Sequence, residues 1–369
     1  MLVPIMMTLL VQAAGGRQLG RLMSTISLPV VIVPVLGPVA GGLIVSNLSW
    51  RWIFYVNVPI CLAGLILAWR VLPRPAAPPA GRRAAKLDIA GLALLSPGLA
   101  ATLYGLAQVS THGGFGSAAV LIPVAAGLAA TGLFAAHALR LRRRADGPGT
   151  VVPILDLRLL RSRSFTGSAV LMFVFGLSLY GAMFLLPLYY QEVRGSSALA
   201  AGLLLAPQGL GTLLPRLVVG QLTDRLGPRP VVLAGIVLAT LGTVPFALAG
   251  AHTSELLLSL ALVVRGAGLG AATIAVMAAA YQGLSPAEIP HASSATRITQ
   301  QVGGAFGASV LAVILERQAI AHAGTGLAGA AGAFGATFWW CLALTLLALA
   351  PALLLAGRAR RRAPATSGT

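Results

Sequence analysis

The sequence predicts an all-α membrane protein, a helix bundle of about ten complete transmembrane helices with a partial one at its N-terminus. Three observations carry this reading. Of the 369 residues, 57% are hydrophobic and only 9% are charged, against about 25% charged in a soluble domain, so the chain has too few charges to cover a water-facing surface. Mean hydropathy is +0.88, and the apolar residues gather into ten stretches long enough to cross, each meeting the ~20 residues a bilayer requires. The 44 Gly and 23 Pro agree, since membrane helices tolerate both. A soluble enzyme, a disulfide-stapled secreted domain and a disordered tail are excluded.

The opening run, Met1 to Ala14, is apolar but short, and no basic residue precedes it as in a secretory leader. It reads as the tail of a span that starts upstream. Spans follow over 22–45 and 52–71, then a Pro/Ala/Arg linker at 73–87. A pair at 88–108 and 118–139 comes next. The loop 140–164 holds a basic run, Pro153 and a stretch Asp156–Arg163. That stretch is expected to form a short interfacial helix, with Leu155, Leu157, Leu159 and Leu160 among its arginines. Six spans close the chain, at 165–190, 197–219, 230–250, 255–282, 292–315 and 333–356. The organisation expected is an incomplete N-terminal bundle (1–72), a central linker carrying two extra helices (73–163), and a six-helix C-terminal bundle with a basic tail (164–369).

A net charge of +18 would mark a nucleic-acid binder among soluble proteins. Here, with alternating spans, 20 of the 26 basic residues fall on one side. That asymmetry is the positive-inside rule, so the chain is expected in the cell membrane (inner or plasma) with its C-terminus cytoplasmic. Lipid bilayer is therefore a partner and nucleic acid is not. Trp50, Trp52, Trp339 and Trp340 are expected at outer span ends and Trp69 at an inner one, as interface anchors. Cys61 and Cys341 lie in apolar runs and read as small buried hydrophobes.

Several motifs stand out. Gly37-Pro38-Val39-Ala40-Gly41-Gly42 places Gly37 and Gly41 on one helix face, where a neighbouring backbone can approach, and Pro38 permits a bend. Gly220-Gln221-Leu222-Thr223-Asp224-Arg225-Leu226-Gly227-Pro228-Arg229 reads as a tight inner loop. Gly227 suits a positive φ, Pro228 can open the next helix, and Asp224 can pair with an arginine such as Arg225 or Arg229. Arg265-Gly266-Ala267-Gly268-Leu269-Gly270 puts a charge near the membrane midplane, where it costs ~2.5–3.5 kcal/mol and must face a polar interior. Arg216 and Arg297 lie nearer the edge and can snorkel.

Together with Trp50–Pro59, Asp88, Gly91, Asp156-Leu157-Arg158 and Leu186-Pro187-Leu188-Tyr189-Tyr190-Gln191, these strings resemble the fourteen-span drug:proton antiporter family of the major facilitator superfamily. The resemblance implies that the Gly37 string is the antiporter motif, although Ser24 and Val33 stand where the longer pattern has glycines. It implies that the Gly220–Arg229 string is a cytoplasmic latch that holds one side-facing state. It also implies that Arg265 echoes an arginine linked to proton movement. Arg265 precedes Gly307 by 42 residues, and the same step back from Gly37 falls just upstream of Met1. The sequence is therefore expected to begin inside the fourth span of a fourteen-span protein.

All eight acidic residues sit in loops or at span ends, so no proton carrier is assigned; the resemblance places it in the first span. Candidate cavity or coupling residues are Arg265, Tyr180, Gln208, Gln300 and Gln301, each equally readable as helix–helix hydrogen bonding. No Walker loop, nucleophile elbow or metal-ligand spacing is present, so no enzyme activity, cofactor or metal is expected. The expected function is secondary efflux of amphipathic, drug-like small molecules in exchange for protons, by alternating access. The alternative is a membrane protein without transport activity, either a truncated gene product or an accessory subunit.

Overall fold

The computed structural model describes residues 37, 39–71, 88–109, 116–143, 157–282, 284, 288–322, 324 and 326–355. The opening run, Pro38, most of span 22–45, the linker 73–87, Asp156 and the basic tail lie outside them. The helices are α1 (39–47), α2 (Trp52–Tyr55), α3 (Asn57–Val71), α4 (Ile89–Ala107), α5 (Ala118–Arg143), α6 (Arg163–Leu188), α7 (Ala198–Leu213), α8 (Val219–Leu226), α9 (Pro228–Ala247), α10 (Glu255–Tyr281), α11 (Ile289–Ala321), α12 (Gly326–Leu347) and α13 (Leu349–Leu354). Among the described residues, nine helical segments are long and apolar enough to cross a membrane. Each of the ten expected spans is helical over most of its described residues, and no strand occurs among the described residues.

Local chemistry sets the boundaries. The Asp88 carboxylate accepts from the Gly91 N–H at 2.8 Å and opens α4. Ser162 and Ser197 cap α6 and α7 in the same way, accepting from Phe165 and Ala200. Pro215 lies where α7 tightens into a 3-10 turn over Leu214–Leu217. Pro187 removes a helix hydrogen bond just before Tyr189–Val193 widens into a π turn.

Three expectations are corrected. In place of the interfacial helix, the described residues form a 3-10 turn over Leu157–Arg161, and Leu159 is buried with Phe165, Ala169, Ala280 and Ala292. Burial of Leu159 anchors that turn in the bundle. The last span starts at Gly326, because its Gly/Ala-rich first turns are weakly apolar yet good packing surface. Trp339 and Trp340 therefore sit well inside α12. Cys61 is exposed, since no residue of α2 or α3 is buried among the described residues, while Cys341 is buried as expected.

The C-terminal block packs α6 against α11, and α10 between α7 and α9, with α12 against α6, α9 and α11. Small residues make this possible. A Cβ on Gly176 would strike the Gln300 carbonyl, one on Gly303 the Phe173 carbonyl, and one on Gly307 the Leu177 carbonyl. Helix backbones this close gain dispersion contacts that lipid cannot match.

The central pair, α4 and α5, pack on each other and dock on α11. The Ser309 hydroxyl donates to the Leu106 carbonyl at 2.6 Å. Leu95, Phe134 and Ala138 meet Ala295 and Ile298 on one side of that bond. Val109 and Val120 meet Val313 on the other.

Candidate functional site

The strings singled out in the sequence fall into three places. In the first, Gly37 and Gly41 have open space around them among the described residues, and Gly42 makes the close approach. A Cβ there would come within 2.8 Å of the Ala198 carbonyl oxygen and the Leu199 Cα. The small-residue reading thus applies to a different glycine of the same string, at the start of α7.

In the second, Gly220, Asp224 and Arg225 lie on the short helix α8, so the string is mostly helix with a sharp turn at its end. Gly227 makes that turn with φ 88° and ψ 165°, a region open essentially to glycine alone. Its N–H donates to the Thr223 carbonyl at 2.9 Å, and Pro228 occupies the first turn of α9. Asp224 and Arg225 are exposed, Arg229 is half-buried, and no ion pair joins them among the described residues. Gly227→Ala is expected to cost about 1–3 kcal/mol through backbone strain, read as a lower thermal-unfolding midpoint; an unchanged midpoint would refute the strain argument.

The third place is the centre of the C-terminal block. Arg265, ten residues into α10, is 1% exposed. Its Nε donates to Thr243 Oγ1 on α9 at 3.2 Å, one terminal nitrogen to Gln208 Oε1 on α7 at 3.0 Å, and the other to the Ser178 carbonyl on α6 at 3.2 Å. Ser178 in turn shares a 2.6 Å hydrogen bond with Thr345 on α12. One guanidinium thus ties four helices through neutral acceptors, and no carboxylate balances it among the described residues. Hydrogen bonds to a charge are worth about 1.5–3 kcal/mol each, enough together to offset its insertion cost. The glycines that follow Arg265 serve two neighbours in turn. Gly266 and Gly270 seat against Gln208 and Thr212 of α7, and Gly268 against Gly235 and Ala239 of α9.

Beside this network lies a cavity of about 880 Å³. Its walls are α6, α7 and α10, and most of them are apolar, including Leu179, Met183, Leu205, Leu269, Ile274 and Met277. Tyr180, Gln208, Thr212, Thr273 and Arg216 are the polar lining groups, and Gly37 closes one edge. The Tyr180 ring lies directly on Gly304 of α11, which holds it against the wall.

The structure therefore brings Tyr180, Gln208 and Arg265 together, Arg265 acting from behind Gln208 and outside the lining. Gln300 and Gln301 do not join them. Gln300 is half-buried with its backbone seated on Gly176, and Gln301 is exposed. Arg216 is exposed at the cavity's edge and Arg297 is exposed on α11.

Sequence reading missed several partners. Thr243 and Ser178 carry no signal of their own in an apolar run. Asp88 Oδ1 also meets His137 Nε2 at 3.0 Å, closing α4 on α5. After the π turn, Arg194 bonds the Thr253 carbonyl at 2.6 Å and Glu255 at 3.3 Å, while the Tyr189 hydroxyl reaches the Gly250 carbonyl.

Comparison with known proteins places this arrangement. Residues 1–308 match the family described as the Major Facilitator Superfamily. The chain is 37% identical over 322 residues to the multidrug resistance protein B homolog of Mycobacterium tuberculosis, covering 86% of this chain and 57% of that protein. It is 30% identical over 327 residues to the MFS-type transporter YcnB of Bacillus subtilis, covering 88% and 66%. It is also 27% identical over 322 residues to the lincomycin resistance protein LmrB of Listeria innocua, covering 86% and 64%. The chain thus spans little more than half the length of the first of these relatives. A bundle of apolar helices joined by glycine contacts around a buried arginine and an apolar cavity, matched over most of its length, belongs to the major facilitator superfamily, a family of membrane transporters and not of enzymes.

Proposed function

We propose that this chain serves secondary active efflux of amphipathic small molecules, exchanged for protons by alternating access. The observation that carries the reading is the cavity of about 880 Å³ between α6, α7 and α10. Its volume suits a drug-sized molecule, and its apolar walls with a few fixed polar groups fit recognition by shape and burial. Relatives named for multidrug and lincomycin resistance support the substrate class. In this reading, the described residues form the C-terminal wall of the pathway with the central pair attached. Asp224, Arg225 and Arg229 flank the Gly227 turn as a cytoplasmic latch, with the C-terminus on the same side. Gly37, Pro38, Gly41 and Gly42 form the antiporter motif. Arg265 holds Gln208 at the cavity wall.

The test is dye efflux. Cells expressing the chain and preloaded with fluorescein from its diacetate are expected to lose dye several-fold faster than cells without it, and a protonophore is expected to abolish the difference. Membrane-inserted chain with no efflux would overturn transport by this chain and favour the alternative, a membrane protein without transport activity. Efflux that survives the protonophore would overturn proton exchange alone.

A further inference from the structure

Two polar groups of the cavity wall, Gln208 and Arg216, bring hydrogen-bond donors to it. Gln208, Thr212 and Arg216 recur every four residues from α7 into the 3-10 turn, so they line one track about 12 Å long at 1.5 Å per residue. Arg265 fixes the sense of the first. A guanidinium has donors and no acceptor, so the Gln208 amide oxygen must face it, as the 3.0 Å bond shows. The Gln208 Nε2, with its two N–H groups, is left to face elsewhere, and no partner occupies it among the described residues. The Thr212 hydroxyl donates to its own helix at Gly209. Arg216, exposed at the edge, ends the track with a full positive charge. Against the Gln208 amide and the Arg216 guanidinium stands no carboxylate: the sequence has no Asp or Glu between Gly195 and Gly220 or between Leu256 and Tyr281, nor anywhere in α6.

We infer that this wall selects amphipathic organic anions over cations, with the anionic group on the Gln208–Arg216 track and the apolar body against Met183, Leu205 and Met277. The inference rests on the cavity being the substrate site proposed above. An anion gains charge-assisted hydrogen bonds here, and a cation of the same size meets a positive charge with no counter-ion in these stretches of α6, α7 and α10.

The test uses the full chain, purified into phosphatidylcholine nanodiscs so that the lipid carries no net charge. Binding of two xanthene dyes of similar size, anionic fluorescein and cationic rhodamine 123, is read by fluorescence anisotropy. Fluorescein is expected to bind at least about 10-fold more tightly. Arg216→Gln is expected to weaken fluorescein about 3- to 10-fold and to leave rhodamine 123 unchanged or improved, while Arg216→Lys retains most of the affinity. Arg317→Gln removes an exposed charge away from the cavity and is expected to change neither dye. Tighter rhodamine 123 binding, or an Arg216→Gln protein with an unaltered dye ratio, would overturn the charge preference and leave the cavity reading standing. Loss of fluorescein binding equally in Arg317→Gln would assign the preference to overall charge and overturn it as well. No binding of either dye would overturn both.

Discussion

Arg265→Ala is expected to destabilise the C-terminal block by about 3 kcal/mol, because it strands the acceptors on three helices and leaves a void in their centre. Arg265→Lys keeps the charge but not the fork, and should fall between alanine and the parent chain. Arg265→Met fills the volume without hydrogen bonds, and so separates bonding from packing. A buried Cys341, 4.0 Å from the Ser178 carbonyl, gives the readout. In a Cys61→Ala background, a thiol-reactive fluorophore labels Cys341 only when the block opens, so its labelling midpoint on heating reports the stability. An Arg265→Met protein as stable as the parent would show that the hydrogen bonds do not hold the helices together.

Gly303→Val is expected to prevent α6 and α11 from packing. A Cβ at Gly303 already strikes the Phe173 carbonyl, and a backbone atom cannot rotate out of the way as a side chain would. Overpacking typically costs about 1–3 kcal/mol when side chains can shift; here the helices must part. Gly303→Ala should lose about 2–3 kcal/mol on the same labelling assay. Gly132 supplies the contrast, since it is helical with nothing within 4 Å of a built Cβ. Gly132→Ala is expected to be neutral or to stabilise by about 0.5–1 kcal/mol. Equal losses at Gly132 and Gly303 would mean that the close contact is not what makes Gly303 sensitive.

The helices were legible in the sequence because bilayer thickness and hydropathy leave few choices: α4, α9 and α10 begin and end within about three residues of their expected bounds, inside the usual scatter of helix ends. Gly227 was legible for a different reason, since a glycine followed by proline between two helices names its own backbone geometry. Arg265 announced itself by its cost in an apolar run. Two of its three partners did not. Thr243 and Ser178 are each one hydroxyl residue among several, and only helix rotation decides which of them face Arg265. Gln300 shows the same limit from the other side, as polarity in a span marked it for the cavity while the glycine contact with α6 turned its backbone into that interface. Asp88 and His137 lie 49 residues apart, and no local pattern pairs them.

The bond from Ser309 to the Leu106 carbonyl has a mechanical meaning. It is a side chain spending its donor on the backbone of a helix from the central pair, with both residues buried in the protein and apolar clusters packed on both sides. Breaking it in hydrocarbon would expose both groups without replacement. Under the alternating access proposed above, α4 and α5 are therefore expected to be carried as passengers of the C-terminal block, held to it by this bond and the two apolar clusters.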